Sequence, residues 1–506
     1  MKKILYLPLD ERPCNYDFPF KIFNKSDFQV ERLQKSNFGF KKTPADIDMI
    51  CEWLLEKSID AYGLVISIDM LVYGGLVQGR IHDFSLDNLK KRLDILKQIK
   101  RNNPKIIIYA FQLIMRCPSY SSSDAEPDYY EDFGKEIYRF GYLKHKIAMN
   151  LASPDEINEF SNICIPKVYI SDFIKRREIN REINLASLDL VSSEVIDFLV
   201  IPQDDSSEYG FTSIDQEIII QEISNMDLMT KVYLYPGADE VGMILIARMN
   251  NFFLGKRPKF YIKYPSITSG QIIPNIEDRY LDSTVKYQII ASYGLVATSL
   301  DDADAVLLVN APADLMLSSL SNNKEGRGMI ANRNIVEAIE FVEYAWKHMR
   351  KPIVIADVTY GNGSTIEIYN YIKLKNMIFD LAGYAGWNTA SNSIGSAIAQ
   401  GVSYLNYGKT LEHMNFLILR YIEDIAYGGY IRQYIRDNVL KNYPNCSIYD
   451  IKPNKAELTI IILHELNKFI TERMSDIKQN WLLKEVWLPW NRLYEVGIKI
   501  ECIDKI

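Results

Sequence analysis

The chain has 506 residues, 48% hydrophobic and 24% charged, an ordinary globular composition with length enough for more than one core. Its formal net charge is −7 and no Lys/Arg-rich block occurs, which excludes a nucleic-acid backbone as the expected partner. No run reaches the roughly 18 apolar residues of a membrane span, and the six cysteines (14, 51, 117, 164, 446 and 502) form no C-x-x-C pair. Asp10, Glu11 and Arg12 cut the apolar start too short for a secretory segment, so a cytoplasmic protein with no membrane partner is expected.

From the first residue to about 400 one pattern recurs: a short apolar run, a polar or glycine cluster, then an amphipathic helical stretch. The runs fall at 4–9, 64–68, 106–111, 198–201, 232–235, 260–264, 305–309 and 353–356, with a weaker ninth at 381–385. Between them, Thr43-Pro44 reads as a helix cap followed by proline at the first helical position, leading into Met49, Ile50, Trp53 and Leu54. Ser85 caps a helix whose Leu86, Leu89, Leu93, Leu96 and Ile99 share a face. Ser153 and Glu156 have capping-box spacing. Beyond 400 the strand signal fades, and 411–440 and 456–474 read as helices.

Alternating strand and helix imply an α/β fold with parallel strands. Two architectures fit. One is a (β/α)₈-barrel-like catalytic domain over 1–400 with a C-terminal helical region over 401–506; the other is two doubly wound α/β halves dividing near 225. The number of units favours the barrel.

Both architectures place ligands at the carboxyl ends of strands. The residues that follow the runs are Asp10, Glu11, Arg12 and Asn15; Asp69; Arg116; Gln203, Asp204 and Asp205; Asp239 and Glu240; Asp357 and Asn362; and Trp387, Asn388, Thr389 and Asn392. Any single strand-end aspartate can simply cap the next helix. The adjacent pair Asp204-Asp205 is harder to explain that way, because close like charges raise each other's pKa and leave one group able to act as an acid. Trp387 offers a flat face of the kind a sugar ring stacks on, and Asn388 and Asn392 offer donors and acceptors for hydroxyls. The five histidines stand apart from these clusters in sequence, and neither a P-loop nor a strand-following G-x-G-x-x-G occurs.

The stretches Leu7-Pro8-Leu9-Asp10-Glu11-Arg12-Pro13-Cys14-Asn15, Gln203-Asp204-Asp205, Pro236-Gly237-Ala238-Asp239-Glu240 and 384–395, closing with Leu488-Pro489-Trp490-Asn491-Arg492, together resemble a bacterial family catalogued as domain of unknown function 4127. The resemblance implies that these are signature positions and carries no established catalytic residue.

The expected function is a glycoside hydrolase-like enzyme needing no cofactor, acting on a sugar or amino-sugar with carboxyl groups alone. Asp205 is its expected general acid and Asp204 the orienting partner, with Asp239 and Glu240 in reserve. Asp10, Arg116, Asn388 and Asn392 would hold hydroxyls, within a binding set that also takes in Glu11, Arg12, Asn15, Asp69, Gln203, Asp357, Asn362, Trp387 and Thr389. A second reading uses Asp10, Asp69, Asp204, Asp239 and Asp357 as oxygen ligands to Mg²⁺ or Ca²⁺ for hydrolysis of a phosphate ester or amide. A third is a metabolite-binding protein without catalysis. All three require these stretches to deliver their side chains into a shared cleft.

Overall fold

A computed structural model describes residues 2–321 and 327–503. The strands, in chain order, are β1 (Lys2–Leu7), β2 (Phe28–Arg32), β3 (Gly63–Ser67), β4 (Ile107–Phe111), β5 (Phe198–Gln203), β6 (Val232–Pro236), β7 (Lys259–Lys263), β8 (Leu295–Val296), β9 (Ala305–Asn310), β10 (Leu317–Ser318), β11 (Ile353–Asp357), β12 (Tyr360–Gly361), β13 (Gly383–Ala385), β14 (Trp481–Trp487) and β15 (Gly497–Cys502). Each of the nine expected runs became a strand, with ends shifted by a residue or two.

These strands build two open parallel sheets among the described residues. The first has the order β2-β1-β3-β4-β5-β6 and the second β13-β11-β9-β7-β8. A closed (β/α)₈ ring is not shown by these pairings; the fold is mixed α/β with parallel sheets of six and five strands. Counted along the chain, both sheets run second, first, third, fourth, fifth, the order of open sheets in which the chain first winds one way and then the other.

Two compact units follow from the contacts. Unit 1 comprises Met1–Glu11, Asn24–Leu245 and Ile276–Asp278; unit 2 comprises Arg12–Phe23, Ile246–Asn275 and Arg279–Ile506. In unit 1, β3 and β5 are buried along their whole length, which is why they read as continuous apolar runs rather than alternating ones. In unit 2, alternate residues of β9 (Val306, Leu308) and β11 (Ile353, Ile355) share a core with Leu417, Tyr421 and Ile425 and with Leu458, Ile462, Leu466 and Ile470. The helical region beyond 400 thus packs directly on the second sheet, and it also carries the antiparallel pair β14–β15, which the sequence did not announce.

Helix starts show where local chemistry governs. Ser85 accepts from Asn88 N (3.4 Å) as expected, though the helix breaks at Asp94 into Leu86–Leu93 and Ile95–Asn102. Thr43 is not a cap: the helix begins at Ile47, and Asp46 accepts from Met49 N (3.1 Å). The earlier stretch is drawn instead into a bridge between Phe40 and Thr43. The Ser153 capping box is complete, with Ser153 Oγ accepting from Glu156 N (3.2 Å) and Glu156 Oε2 from Ser153 N (2.9 Å). Ser153→Ala is therefore expected to cost about 1 kcal/mol in a urea unfolding titration. The helical stretch after Leu411–Arg420 widens into a π-helix over Tyr421–Ile431, a rare geometry often found at functional sites. No helix among the described residues is long and apolar enough to cross a membrane.

Candidate functional sites

In unit 1 the segments after β4 and β5 open a cleft of about 190 Å³ lined by residues including Tyr120, Tyr138, Asp205, Ser206, Glu208 and Glu277. Asp205 adopts a left-handed backbone (φ 45°), which carries the chain sharply out of β5. Its Oδ2 accepts from Arg116 Nη1 at 2.8 Å. Asp204 turns to a different partner, Arg80 Nη2 at 2.7 Å, and lies 3.8 Å from Arg116 Nη1. Both arginines converge on Glu126 Oε1, at 3.0 Å from Arg80 Nη1 and 2.6 Å from Arg116 Nε. Glu126, only 1% exposed, thereby fixes the two guanidinium planes that hold the aspartates.

Burial pushes the Asp205 carboxyl up to about 6, with Arg116 opposing the rise and Asp204 adding to it. The neighbour effect expected from the adjacent pair is thus present, but loss of water is the larger cause. Ser206 Oγ, beside it in the cleft, is buried and has no hydrogen-bond partner among the described residues. Asp69 is buried deeper. It accepts from Leu113 N (2.9 Å), and burial raises its carboxyl to about 7. His145, distant in sequence, reaches the same turn: its Nδ1 accepts from Gly210 N at 3.2 Å.

Other expected site residues of unit 1 are not among the residues that line this cleft. Glu240 Oε2 accepts from Ala238 N (2.9 Å), and it fills the space a side chain at Gly237 would need. Asp239 is buried beside it. Gln203 is buried, with Oε1 accepting from Gln216 Nε2 at 3.3 Å. Asp10 is buried at the end of β1, and Glu11 Oε1 accepts from Lys41 N at 3.2 Å.

Unit 2 holds the remaining residues. Asn362 and Gly363 after β11, and Trp387 and Asn388 after β13, line a small cavity together with Glu423, Asp424, Tyr427, Gly428, Arg432, Tyr494 and Glu495. Asn362 (φ 66°) and Asn388 (φ 53°) are left-handed, and Asn362 N donates to Asn388 O at 2.6 Å, so the two strand-end loops clasp each other. Trp490 (φ 52°) and Asn491 (φ 54°) are left-handed as well. Trp387 Nε1 donates to Ser396 Oγ (3.0 Å) and its ring is largely buried. Thr389 is the cap of the helix Ala390–Tyr407, accepting from Asn392 N at 3.3 Å, and Asn392 is buried in its first turn. Asp357 is wholly buried, held by Asn310 Nδ2 (2.9 Å) and Thr359 Oγ1 (2.6 Å), and burial raises its carboxyl. Arg12 stacks over Trp490 with 4.4 Å to the ring centroid and lies 4.0 Å from Glu495, while Asn15 is fully buried.

The expected site residues fall in both units. Asp204, Asp205, Arg116, Asp69, Asp10, Glu11, Gln203, Asp239 and Glu240 belong to unit 1; Arg12, Asn15, Asp357, Asn362, Trp387, Asn388, Thr389 and Asn392 belong to unit 2. The five aspartates weighed as cation ligands are split likewise, and among the described residues no group of three or more His, Cys, Asp or Glu is placed to hold a metal ion.

The sequence reading missed Arg80, Glu126 and, above all, Glu423-Asp424. These two carboxylates rise from the π-helix and share one fully buried cation: Arg420 Nη1 donates to Asp424 Oδ1 at 3.0 Å, and its Nη2 pairs with Glu423 Oε2. Asp424 Oδ2 also accepts from Gly386 N at 2.7 Å. Burial pushes both carboxyls up. The criterion that singled out Asp204-Asp205, two adjacent acids, applies equally to 423–424. Gly429 lets the loop from β12 press on this helix, since a Cβ there would lie 2.2 Å from Ser364 O. Gly429→Ala is expected to cost about 1–3 kcal/mol, read as a lowered urea midpoint, because backbone rather than a flexible side chain must move.

Two parallel sheets, with a cavity beside the strand ends of each that is lined by buried carboxyl groups, mark this as a mixed α/β protein with two candidate small-molecule sites. Residues 4–499 match the family described as Protein of unknown function (DUF4127), and the chain belongs to that family. No curated protein and no solved structure matches it.

Proposed function

We propose that unit 1 is a hydrolase of a glycoside or similarly polyhydroxylated substrate, with Asp205 as its general acid. The observation that carries this reading is a carboxyl lining a cleft of about 190 Å³ and raised to about 6 by burial. Glycosidic cleavage asks for one carboxyl to protonate the departing oxygen and a second to support the carbon it leaves. Arg116 engages Oδ2 of Asp205, which leaves Oδ1 to carry and deliver the proton. Glu277, buried in the same cleft, is assigned the second role. Asp204 acts at one remove, by holding Arg80 and so the frame around Glu126 and Arg116. The unsatisfied Ser206 hydroxyl supplies a hydrogen bond to substrate. The scattered cysteines favour a cytoplasmic setting for this chemistry.

The test is a panel of glycosides and amino-sugar glycosides, each offered with a nitrophenyl and with a methyl leaving group, assayed with the wild-type protein and Asp205→Asn. Cleavage by the wild type that persists in excess chelator, with the variant impaired most on the methyl glycosides, supports the reading. A wild type that turns over none of them, or a variant equal to it on both leaving groups, overturns it.

A further inference from the structure

The cavity of unit 2 has no part in the chemistry assigned to Asp205, and its charge arrangement is incomplete. It measures about 30 Å³, room for one or two water-sized groups. Glu423 lines it, is 8% exposed, and has only one of its carboxylate oxygens engaged: Oε2 pairs with Arg420, while Oε1 has no hydrogen-bond partner among the described residues.

The nearby cations are committed elsewhere. Arg420 serves two carboxylates with one charge. Arg432 is turned onto backbone oxygens, with Nη1 at 2.8 Å from Tyr494 O and Nη2 at 3.2 Å from Gly428 O. Arg492 grips both oxygens of Glu495 at 3.0 and 3.1 Å. Lys21 opposes the rise of the Glu423 carboxyl through space. One arginine is divided between two acids, so Glu423 Oε1 is left without a cation of its own, in a cavity also walled by Trp387, Tyr427 and Tyr494. Aromatic walls with a carboxylate are the surroundings an ammonium group prefers over a neutral hydroxyl.

We infer that this cavity is a binding site for the primary ammonium group of a small polar ligand, with Glu423 Oε1 as its acceptor. Only the headgroup enters, as the volume dictates, and the remainder of the ligand stays outside the cavity. The site stands independently of the Asp205 reading, because it uses different residues in a different unit.

The test compares ethanolamine with ethylene glycol, which has a hydroxyl in place of the ammonium, by thermal shift and calorimetry on the full chain. Ethanolamine is expected to bind at least about tenfold more tightly than the glycol. Glu423→Gln should abolish that preference. Should this variant fail to fold by near-UV circular dichroism, Glu423→Asp, which keeps the charge and withdraws it by one methylene, should weaken ethanolamine binding several-fold. Asp205→Asn should leave it unchanged. Equal response to the two probes, no response to either, retention of the preference in a folded Glu423 variant, or its loss in Asp205→Asn overturns the inference.

Discussion

Asp205→Asn is expected to lower kcat/KM on a glycoside with a poor leaving group by about 10²–10⁴-fold, the usual contribution of a positioned general acid. On the nitrophenyl counterpart the loss should be much smaller, because that oxygen departs without a proton. The wild type should also show an alkaline limb in its pH–rate profile near 6, where the raised carboxyl of Asp205 gives up its proton in the free enzyme. Asparagine cannot titrate, so this limb should vanish in the variant. A profile that keeps its limb in Asp205→Asn would assign the acid to another group, with Glu277 of the same cleft the next to change. Folding is not expected to confound the comparison. Asparagine keeps an acceptor oxygen for Arg116, and it tolerates the left-handed backbone that Asp205 occupies.

Many strands were legible because β3, β5, β9 and β11 are buried along their whole length, so each appears as an unbroken apolar run. The architecture was not, and two strands explain why. The edge strand β2, Phe-Gln-Val-Glu-Arg, is half exposed, and β8 is only two residues long. Each is the second strand of its sheet, the one that sends the chain to the far side of the first. With both hidden, eight consecutive strand signals looked like a ring; with both present they resolve into two open sheets.

The site was legible in kind rather than in grouping. Adjacent acids at a strand end did mark Asp204-Asp205, and the small-residue stretch after β13 did mark a cavity wall in Trp387 and Asn388. Local pattern could not say which strand ends share a sheet. Nor could it foresee that Glu240 and Asp357 would be consumed by their own turns, since that depends on side-chain reach within two or three residues. Glu423-Asp424 escaped because 411–440 reads simply as a helix, and the π-helix that turns both acids inward leaves no separate mark in that pattern.

That pair sets the second large effect. Arg420→Met is expected to destabilise the protein by about 3–5 kcal/mol at pH 8, the cost of leaving buried charge without its partner. Arg420 is 0% exposed, answers both Glu423 and Asp424, and has the Phe18 ring at 4.1 Å from its guanidinium carbon, so no water replaces it when it is removed. The effect should depend on pH in a defined direction. Burial already holds both folded carboxyls above the ordinary carboxylate values of about 4, so the folded state binds more protons than the unfolded chain between those values and the raised ones. Stability from these groups is therefore fully present at low pH and is lost as pH rises through that window. Without Arg420 both carboxyls rise further, so the deficit should shrink towards pH 5, where each can stay neutral, and widen towards pH 8. Urea titrations at the two pH values check this. Adding Glu423→Gln and Asp424→Asn to Arg420→Met should recover most of the loss at pH 8, because the triple variant buries no charge at all. A deficit of equal size at both pH values, or no recovery in the triple variant, would mean that Arg420 stabilises the π-helix by packing against Phe18 and Phe416 rather than by its charge.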